Sequence, residues 1–219
     1  MDHIQTSHQI AGHLLRIQAV FFRPDEPFTW ASGIQSPVYC DNRLTLTDLA
    51  ARKDVEEGLA SLVRAQYPQA EVLMGTSTAG IAHAAITAHL LNLPMGYVRA
   101  GAKDHGRKNQ IEGKLLPGQK TVVIEDLIST GGSVVEVVEI LREAGAEVLG
   151  VASIFTYGMQ KGLDRLASAG VVNHSLTDFD TVAALAGQQG YVRPEDVERL
   201  LRFRDNPSDS SWMRKGAGA

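Results

Sequence analysis

The chain has 219 residues, of which 44% are hydrophobic and 21% charged, a balance typical of a folded globular protein. The net charge of −4 argues against a nucleic-acid-binding surface, and no apolar stretch approaches the roughly 20 residues that span a bilayer. The single cysteine, Cys40, excludes an internal disulfide framework and predicts a reducing, cytoplasmic location.

The first third of the chain predicts two helices that flank a pair of short strands. Apolar residues recur at helical spacing from Ile4 to Phe22, which predicts the first helix. The segments 28–32 and 37–41 are expected to pair as strands across a short turn. Thr47 is expected to cap the second helix, which should end before Pro68.

From residue 71 onward, short apolar runs alternate with segments of helical period. Strands are predicted near 71–75, 94–99, 120–125 and 147–155, and helices near 79–92, 133–144 and 160–169. This alternation predicts an α/β fold with a mostly parallel central sheet flanked by helices. Ligands bind outside the carboxyl ends of such strands, where Gly75, Arg99, Glu125 and Thr156 all fall.

The segment 121–133, with the sequence TVVIEDLISTGGS, carries the strongest chemical signal. A β-branched run predicts a buried strand that ends at two adjacent carboxylates, Glu125 and Asp126. Hydroxyl side chains and two glycines follow, and a helix is expected to begin near Ser133. Because a helix start presents unpaired N–H groups and partial positive charge, this turn predicts a phosphate site. The carboxylates suit sugar hydroxyls with a divalent cation nearby, so a ribose 5-phosphate fits the segment.

Other nucleotide-binding and nucleophile motifs do not match the chain. Residues 75–81 (GTSTAGI) lack both the lysine of a Walker A loop and the spacing of a hydrolase elbow. No G-x-G-x-x-G opens a helix, and neither H-E-x-x-H nor C-x-x-C occurs. These observations exclude the common alternatives to a phosphoribosyl site.

A long loop from 100 to 116 precedes the segment 121–133 and is almost wholly polar between 101 and 114. Its three glycines offer hinges, and positive charge is supplied there by Arg99, Lys103, His105, Arg107 and Lys108. A loop of this length predicts a lid over the site, with a solvated surface excursion as the alternative.

Three segments together resemble a known family. Residues 124–133 (IEDLISTGGS) resemble the phosphoribosyl-diphosphate loop of the type I phosphoribosyltransferases. Residues 28–43 (FTWASGIQSPVYCDNR) and 97–113 (YVRAGAKDHGRKNQIEG) are similar to the N-terminal segment and the mobile catalytic loop of the orotate phosphoribosyltransferases. The resemblance implies one phosphoribosyltransferase domain over 1–205 with a small N-terminal hood of about residues 1–45. The Ser-, Gly- and Ala-rich stretch 206–219 predicts a poorly ordered tail.

The resemblance also implies an activity and its residues. The implied enzyme is a pentosyltransferase that moves the phosphoribosyl group of 5-phosphoribosyl 1-diphosphate to orotate, giving orotidine 5′-monophosphate and diphosphate in pyrimidine biosynthesis. The implied catalytic groups, which hold the diphosphate, are Arg99, Lys103 and His105. The rest of the implied phosphoribosyl-diphosphate site is Glu125, Asp126, Leu127, Ile128, Ser129, Thr130, Gly131, Gly132 and Ser133. The implied orotate pocket is lined by Ser129, Tyr39 and Cys40.

Mg²⁺ is the implied cofactor, held mainly by the substrate, with no direct protein ligand and with Glu125 and Asp126 reaching it through water. A homodimer is implied because the family's lid reaches the neighbouring subunit's site. No nucleic acid or membrane partner is expected. The chain departs from the enteric bacterial pattern, which has lysine in place of three alanines and an arginine near Tyr157; the alanines are Ala31, Ala79 and Ala100.

Two other functions remain open from the residues. A phosphoribosyltransferase for a purine or for uracil would share the phosphate loop, but its hood should differ from residues 28–43. A regulatory protein that keeps the fold as a sensor should carry a DNA-binding domain or a basic surface, and neither is evident. Retention of Lys103 and His105 favours catalysis over sensing.

Overall fold

The protein is described here by a computed structural model that covers residues 3–29, 33–99, 101 and 110–213. The helices are α1 His3–Arg16, α2 Leu49–Gln66, α3 Gly80–Leu91, α4 Gly132–Glu143, α5 Gln160–Ser168, α6 Phe179–Gln188 and α7 Val197–Asp205. The strands are β1 Val20–Phe22, β2 Phe28–Thr29, β3 Gln35–Ser36, β4 Val38–Cys40, β5 Val72–Thr76, β6 Met95–Val98, β7 Ile111–Glu112, β8 Lys120–Ile128, β9 Glu147–Thr156 and β10 Asn173–Asp178.

The centre of the fold is a six-stranded sheet with the order β10-β9-β8-β5-β6-β7. Every neighbouring pair in it is parallel except β6 and β7, which are antiparallel. Two small antiparallel pairs, β1 with β4 and β2 with β3, form the N-terminal hood outside this sheet. The prediction of an α/β fold with a mostly parallel central sheet is therefore confirmed.

Two hydrophobic clusters cover the two faces of the sheet. Ile124 of β8 packs in the larger cluster with residues of α1, α2, α3, α6 and α7. Its neighbour Val123 points to the other face and packs with Val138 and Leu141 of α4. Because successive side chains of a strand point to opposite faces, a continuous apolar run is what a sheet buried on both faces requires.

The N-terminal elements differ from the sequence-based prediction. Helix α1 ends at Arg16 because Gln18 takes a left-handed conformation (φ 57°), and residues 20–22 then form β1. The apolar residues near the end of the predicted helix fit a short strand equally well, so the prediction extended the helix over residues that form β1. The predicted pairing of 28–32 with 37–41 is wrong, since β2 pairs with β3 and β4 pairs with β1. Residues 30–32 lie outside the described part of the chain.

The start of α2 and the extent of β8 also differ from prediction. Asp48, not Thr47, caps α2 by accepting a 2.8 Å hydrogen bond from the N–H of Ala51. The Thr47 hydroxyl instead donates to the carbonyl of Leu44. Strand β8 continues to Ile128, three residues beyond the predicted end, because it stays paired with β9 as far as Thr156.

Residues 206–213 pack more closely against the fold than their composition predicts. Trp212 is 1% exposed and its ring lies 5.6 Å from that of Phe203, while Arg199 Nε donates to the Trp212 carbonyl at 2.8 Å. The expectation of a loose tail from residue 206 is therefore wrong as far as residue 213, because one buried indole anchors a stretch of otherwise polar residues. Residues 214–219 lie outside the described part of the chain.

No helix among the described residues combines the length and the apolar content that crossing a bilayer requires.

Candidate active site

The carboxyl ends of β5 and β8 bring the acidic pair, Glu125 and Asp126, next to the hydroxyl of Thr76, which the sequence analysis did not predict as a site residue. Glu125 is 5% exposed, and its Oε1 accepts hydrogen bonds from Thr76 Oγ1 at 2.7 Å and from the N–H of Asp126 at 2.9 Å. Burial, followed by the adjacent Asp126, raises the pKa of Glu125 to about 8. The pair therefore retains a proton near neutral pH. Thr76 is the last residue of β5, after an apolar run, and a hydroxyl at the carboxyl end of a parallel strand is the sequence signal that could have identified it as a site residue.

Asp126 is half-buried and is connected to the hood. Its main-chain carbonyl accepts a 2.7 Å hydrogen bond from Nδ2 of Asn42. The thiol of Cys40 donates to Oδ1 of the same asparagine at 3.3 Å. Burial and the nearby carboxylates of Asp126 and Asp41 raise the pKa of the Cys40 thiol well above its usual range, so Cys40 is a protonated wall group rather than a nucleophile.

The loop 129–133, which the sequence predicts as a phosphate site, has the expected glycine turn followed by a helix start. Gly131 adopts φ +71°, a conformation that favours glycine, and α4 begins at Gly132, one residue before the expected start. The loop side chains Ser129 and Thr130 are half-buried, and Ser133 is exposed. Among the described residues no side chain caps α4, so the N–H groups of its first turn are available to an anion.

Helix α5 supports this loop from behind, and the sequence reading assigned it no such role. A Cβ added at Gly162 would overlap the carbonyl oxygen of Ser129, so only glycine allows this close approach. Arg165 Nη1 donates to the carbonyl of Thr130 at 3.1 Å and also lies against Gly132. Arg165 thus ties the loop to α5 through the Thr130 carbonyl.

Two groups of aromatic rings lie in the hood and at the end of β9. Tyr39 is 40% exposed, and its ring lies 5.4 Å from Phe21 and 5.8 Å from Phe28. Tyr157 is buried and stacks on Phe179 at 5.7 Å. Burial raises the pKa of Tyr157 well above its usual value, so an uncharged phenol occupies the region where the enteric pattern has an arginine.

The base of the predicted lid is a short antiparallel pairing of β6 with β7. The N–H of Arg99 donates to the carbonyl of Gln110 at 2.8 Å, and the Gln110 side chain donates to the Arg99 carbonyl at 3.2 Å. Arg99 Nε also pairs with Glu112 Oε1 at 2.9 Å. Lys103 and His105, like Ala100, lie outside the described residues.

The described residues contain no cluster of three or more His, Cys, Asp or Glu side chains that could hold a metal ion. The acidic pair offers carboxylate oxygens of the kind that Mg²⁺ prefers. It would therefore need further oxygen ligands from a bound molecule or from water.

The comparisons with known proteins agree with this geometry. The family profile described as "Phosphoribosyl transferase domain" matches residues 44–184. An orotate phosphoribosyltransferase of Bacillus subtilis is 56% identical over 94% of this chain and 95% of that protein. One from Bacillus cytotoxicus is 52% identical over 94% and 98%.

Solved structures show the same fold. The orotate phosphoribosyltransferase of Aeropyrum pernix superimposes with a TM-score of 0.73 at 29% identity, over 84% of this chain and 99% of that one. The UMP synthase of Leishmania donovani gives a TM-score of 0.78 at 26% identity, over 90% of this chain but only 42% of that longer protein. On the profile match and the curated relatives, the chain belongs to the phosphoribosyltransferase family and, within it, to the orotate phosphoribosyltransferases.

Proposed function

We propose that the protein transfers the phosphoribosyl group of 5-phosphoribosyl 1-diphosphate to orotate, giving orotidine 5′-monophosphate and diphosphate for pyrimidine biosynthesis. The observation that carries the proposal is the placement of the Glu125–Asp126 pair beside the uncapped start of α4. That juxtaposition suits a ligand with vicinal hydroxyls and a phosphate on one sugar. The names of the relatives supply orotate as the acceptor.

The acidic pair and the phosphate loop have separate roles in this proposal. Glu125 and Asp126 accept hydrogen bonds from the 2′- and 3′-hydroxyls of the ribose. The 5′-phosphate binds the main-chain N–H groups of the loop 129–133 and the hydroxyls of Ser129, Thr130 and Ser133. Leu127 and Ile128 are the last residues of β8 and place the start of that loop. A helix start and a glycine turn hold a phosphate without needing a lysine.

The chemical step breaks the bond from C1′ to the diphosphate oxygen and forms one from C1′ to a ring nitrogen of orotate, whose proton goes to the leaving diphosphate. Positive charge grows on the sugar while negative charge grows on the leaving diphosphate, so stabilising that diphosphate lowers the barrier. Arg99, Lys103 and His105 are the proposed partners of the diphosphate. Excluding water from the site, the proposed role of the lid, prevents hydrolysis of the sugar cation.

Orotate is proposed to bind against the hood. Tyr39 and Cys40 line its pocket on one side, and Ser129 reaches it from the phosphate loop. The half-buried Cys40 and the partly exposed Tyr39 support this placement, because a planar base requires a largely apolar wall with a few fixed donors.

Mg²⁺ fits the donor set of the acidic pair. Glu125 and Asp126 would hold it through water, with the substrate's own oxygens completing its ligands. When bound, the ion would neutralise charge on the diphosphate. The raised pKa of Glu125 is consistent with a site that becomes fully ionised only when a cation or hydroxyl donors are present.

We also propose one catalytic domain over 1–205 with its hood within about residues 1–45, a cytoplasmic location and a homodimer that shares lid residues between subunits. Helix α3 supports the dimer, because its sequence GIAHAAITAHLL has no acidic or basic residue other than histidine, and Leu90 is 40% exposed. A helix that is apolar all round is usually covered by other protein.

The proposed function is tested by incubating the protein with Mg²⁺, 5-phosphoribosyl 1-diphosphate and orotate and following the loss of orotate absorbance. Parallel reactions contain uracil, adenine, hypoxanthine or xanthine. We expect turnover of orotate alone and a loss of about 100-fold or more in kcat for Lys103→Ala, since a charge on the leaving group would be unpaired. Lys53→Ala, an exposed change on α2, is the matched control and should retain activity.

Turnover of another base instead of orotate would support the phosphoribosyltransferase activity but contradict orotate as the acceptor. Tight binding of 5-phosphoribosyl 1-diphosphate without turnover of any base would favour the sensor. Full activity of Lys103→Ala would contradict the role assigned to that lysine.

A further inference from the structure

Asn42 is a fully buried polar side chain between the hood and the central sheet, at the start of a 3-10 helix over Asn42–Thr47. Its Nδ2 lies 2.7 Å from the Asp126 carbonyl and its Oδ1 lies 3.3 Å from the Cys40 sulfur. A carbonyl can only accept, so the amide nitrogen must face Asp126. The raised pKa of Cys40 keeps the thiol protonated, so the amide oxygen correctly faces a donor.

The backbone around Asn42 allows its side chain little freedom. The N–H of Asp41 donates to the carbonyl of Ala19 at 2.7 Å, which ties the end of β4 to the residue before β1. The buried hydroxyl of Thr45 donates to the carbonyl of Asn42 itself at 2.6 Å. The carboxamide is therefore presented to the sheet from a fixed frame.

The acceptor that Asn42 holds lies just past the end of a strand ladder. The pairing of β5 with β8 ends with Gly75 opposite Ile124, two residues before Asp126. In the described structure no β5 residue is paired with Asp126, so its main-chain carbonyl takes this hydrogen bond from outside the β5–β8 ladder. Asn42 supplies that hydrogen bond, at the residue that carries the second carboxylate.

We propose that Asn42 is a positioning residue of this enzyme, which holds the main chain of Asp126 so that the acidic pair is aligned for the ribose hydroxyls. The inference rests on the proposed function. Asn42 does not touch the substrate in this proposal and acts only through Asp126. Its loss should therefore weaken binding of the ribosyl substrate specifically, beyond any loss of stability.

The test compares Asn42→Ser and Asn42→Asp with the wild type. Binding of 5-phosphoribosyl 1-diphosphate with Mg²⁺ and without orotate is measured by calorimetry, and thermal unfolding is recorded for each protein. We expect each change to weaken binding about tenfold, because carboxylates that are no longer held in place must be aligned at the expense of binding free energy. Asn42→Asp should have the larger effect, because a carboxylate oxygen would face the carbonyl oxygen.

Ser7→Ala is the matched control. Ser7 is a buried residue of α1 whose hydroxyl donates to Thr177 Oγ1 at 3.1 Å, away from the acidic pair. It should lower the melting temperature while leaving the affinity for 5-phosphoribosyl 1-diphosphate unchanged.

Two outcomes would overturn the inference. One is an affinity within twofold of the wild type in a folded Asn42 variant. The other is an equal loss of affinity in Ser7→Ala at the same loss of stability. Failure of the proposed function shows separately, as absence of orotate turnover by the wild type.

Discussion

Glu125 shows how position changes the chemistry of a single carboxyl group. It is 5% exposed and adjoins Asp126, so its pKa is raised to about 8. Hydroxyl donors from a ribose, and a cation nearby, stabilise the charged form and pull the pKa down. Binding of 5-phosphoribosyl 1-diphosphate with Mg²⁺ should therefore expel the proton that the free protein holds.

At pH 7 we expect the wild type to release about one more proton on binding Mg²⁺ and 5-phosphoribosyl 1-diphosphate than Glu125→Gln does. Calorimetry in two buffers with different ionisation enthalpies measures this number. The protons released by the substrate and by Mg²⁺ are the same for both proteins, so they cancel in the difference between the wild type and Glu125→Gln. Equal proton release by the two proteins would contradict the raised pKa.

The same pKa shift predicts how the stability of the free protein depends on pH. Between the ordinary glutamate pKa of about 4.5 and a value of about 8, the folded state holds a proton that the unfolded state has lost. The free energy of unfolding contributed by Glu125 therefore falls as pH rises through this window. Glu125→Gln should remove that slope in urea unfolding measured from pH 5 to 9.

At the scale of elements, the proposed phosphate site depends on how closely α5 approaches the loop after β8. Gly162 permits contact with the Ser129 carbonyl, and Arg165 binds the next carbonyl, that of Thr130. With α5 packed against Ser129 and Arg165 bonded to Thr130, the position of the proposed phosphate loop depends on α5. The sequence of the loop is a local motif between β8 and α4, but its position also depends on contact with α5.

Gly162→Ala should disrupt this contact, because the added methyl group has to displace the Ser129 backbone. We expect kcat/KM for 5-phosphoribosyl 1-diphosphate to fall about tenfold or more through misplaced amides. Gly12→Ala is the matched control within α1, where the added Cβ would lie an ordinary 3.9 Å from Leu185. That change should leave activity unaltered and add up to about 1 kcal/mol of stability. Wild-type kinetics for Gly162→Ala would show that α5 does not position the loop.

At the scale of the whole molecule, a polar network joins the C-terminal segment to the hood. Arg199 binds Asp25 and the Pro24 carbonyl in the hood, the buried Asp196, and the Trp212 carbonyl. Since Pro24 and Asp25 follow β1, and β1 pairs with β4, the network supports the strand that carries Tyr39 and Cys40. Residues 206–213 are therefore held against the rest of the described structure.

Trp212→Ala should destabilise the protein by about 3–5 kcal/mol, the usual cost of deleting a buried aromatic side chain. Urea unfolding followed by circular dichroism measures the change. Tyr191→Ala, at a residue that is 49% exposed, is the aromatic control and should cost well below that amount. A loss below 1 kcal/mol for Trp212→Ala would place the segment 206–213 outside the cooperative fold.

The sequence by itself determined the features whose cause is local. A β-branched run between turns makes β8, a glycine makes the turn at Gly131, and apolar residues at helical spacing make α4. These signals were enough to predict a parallel α/β sheet and to point to residues 125–133 as a phosphoribosyl site. Local signals failed where helix and strand periods overlap, as at β1, or where one buried residue outweighs composition, as at Trp212.

Only the tertiary structure decided which distant groups complete the site. Thr76 and Glu125 are 49 residues apart and Asn42 and Asp126 are 84 apart, yet each pair is joined by a hydrogen bond of 2.7 Å. Neither threonine nor asparagine carries a sequence pattern that names its partner, because the partner is set by strand order and by the path of the hood. The burial that raises the pKa of Glu125 has the same origin, since it arises from neighbours brought together by folding.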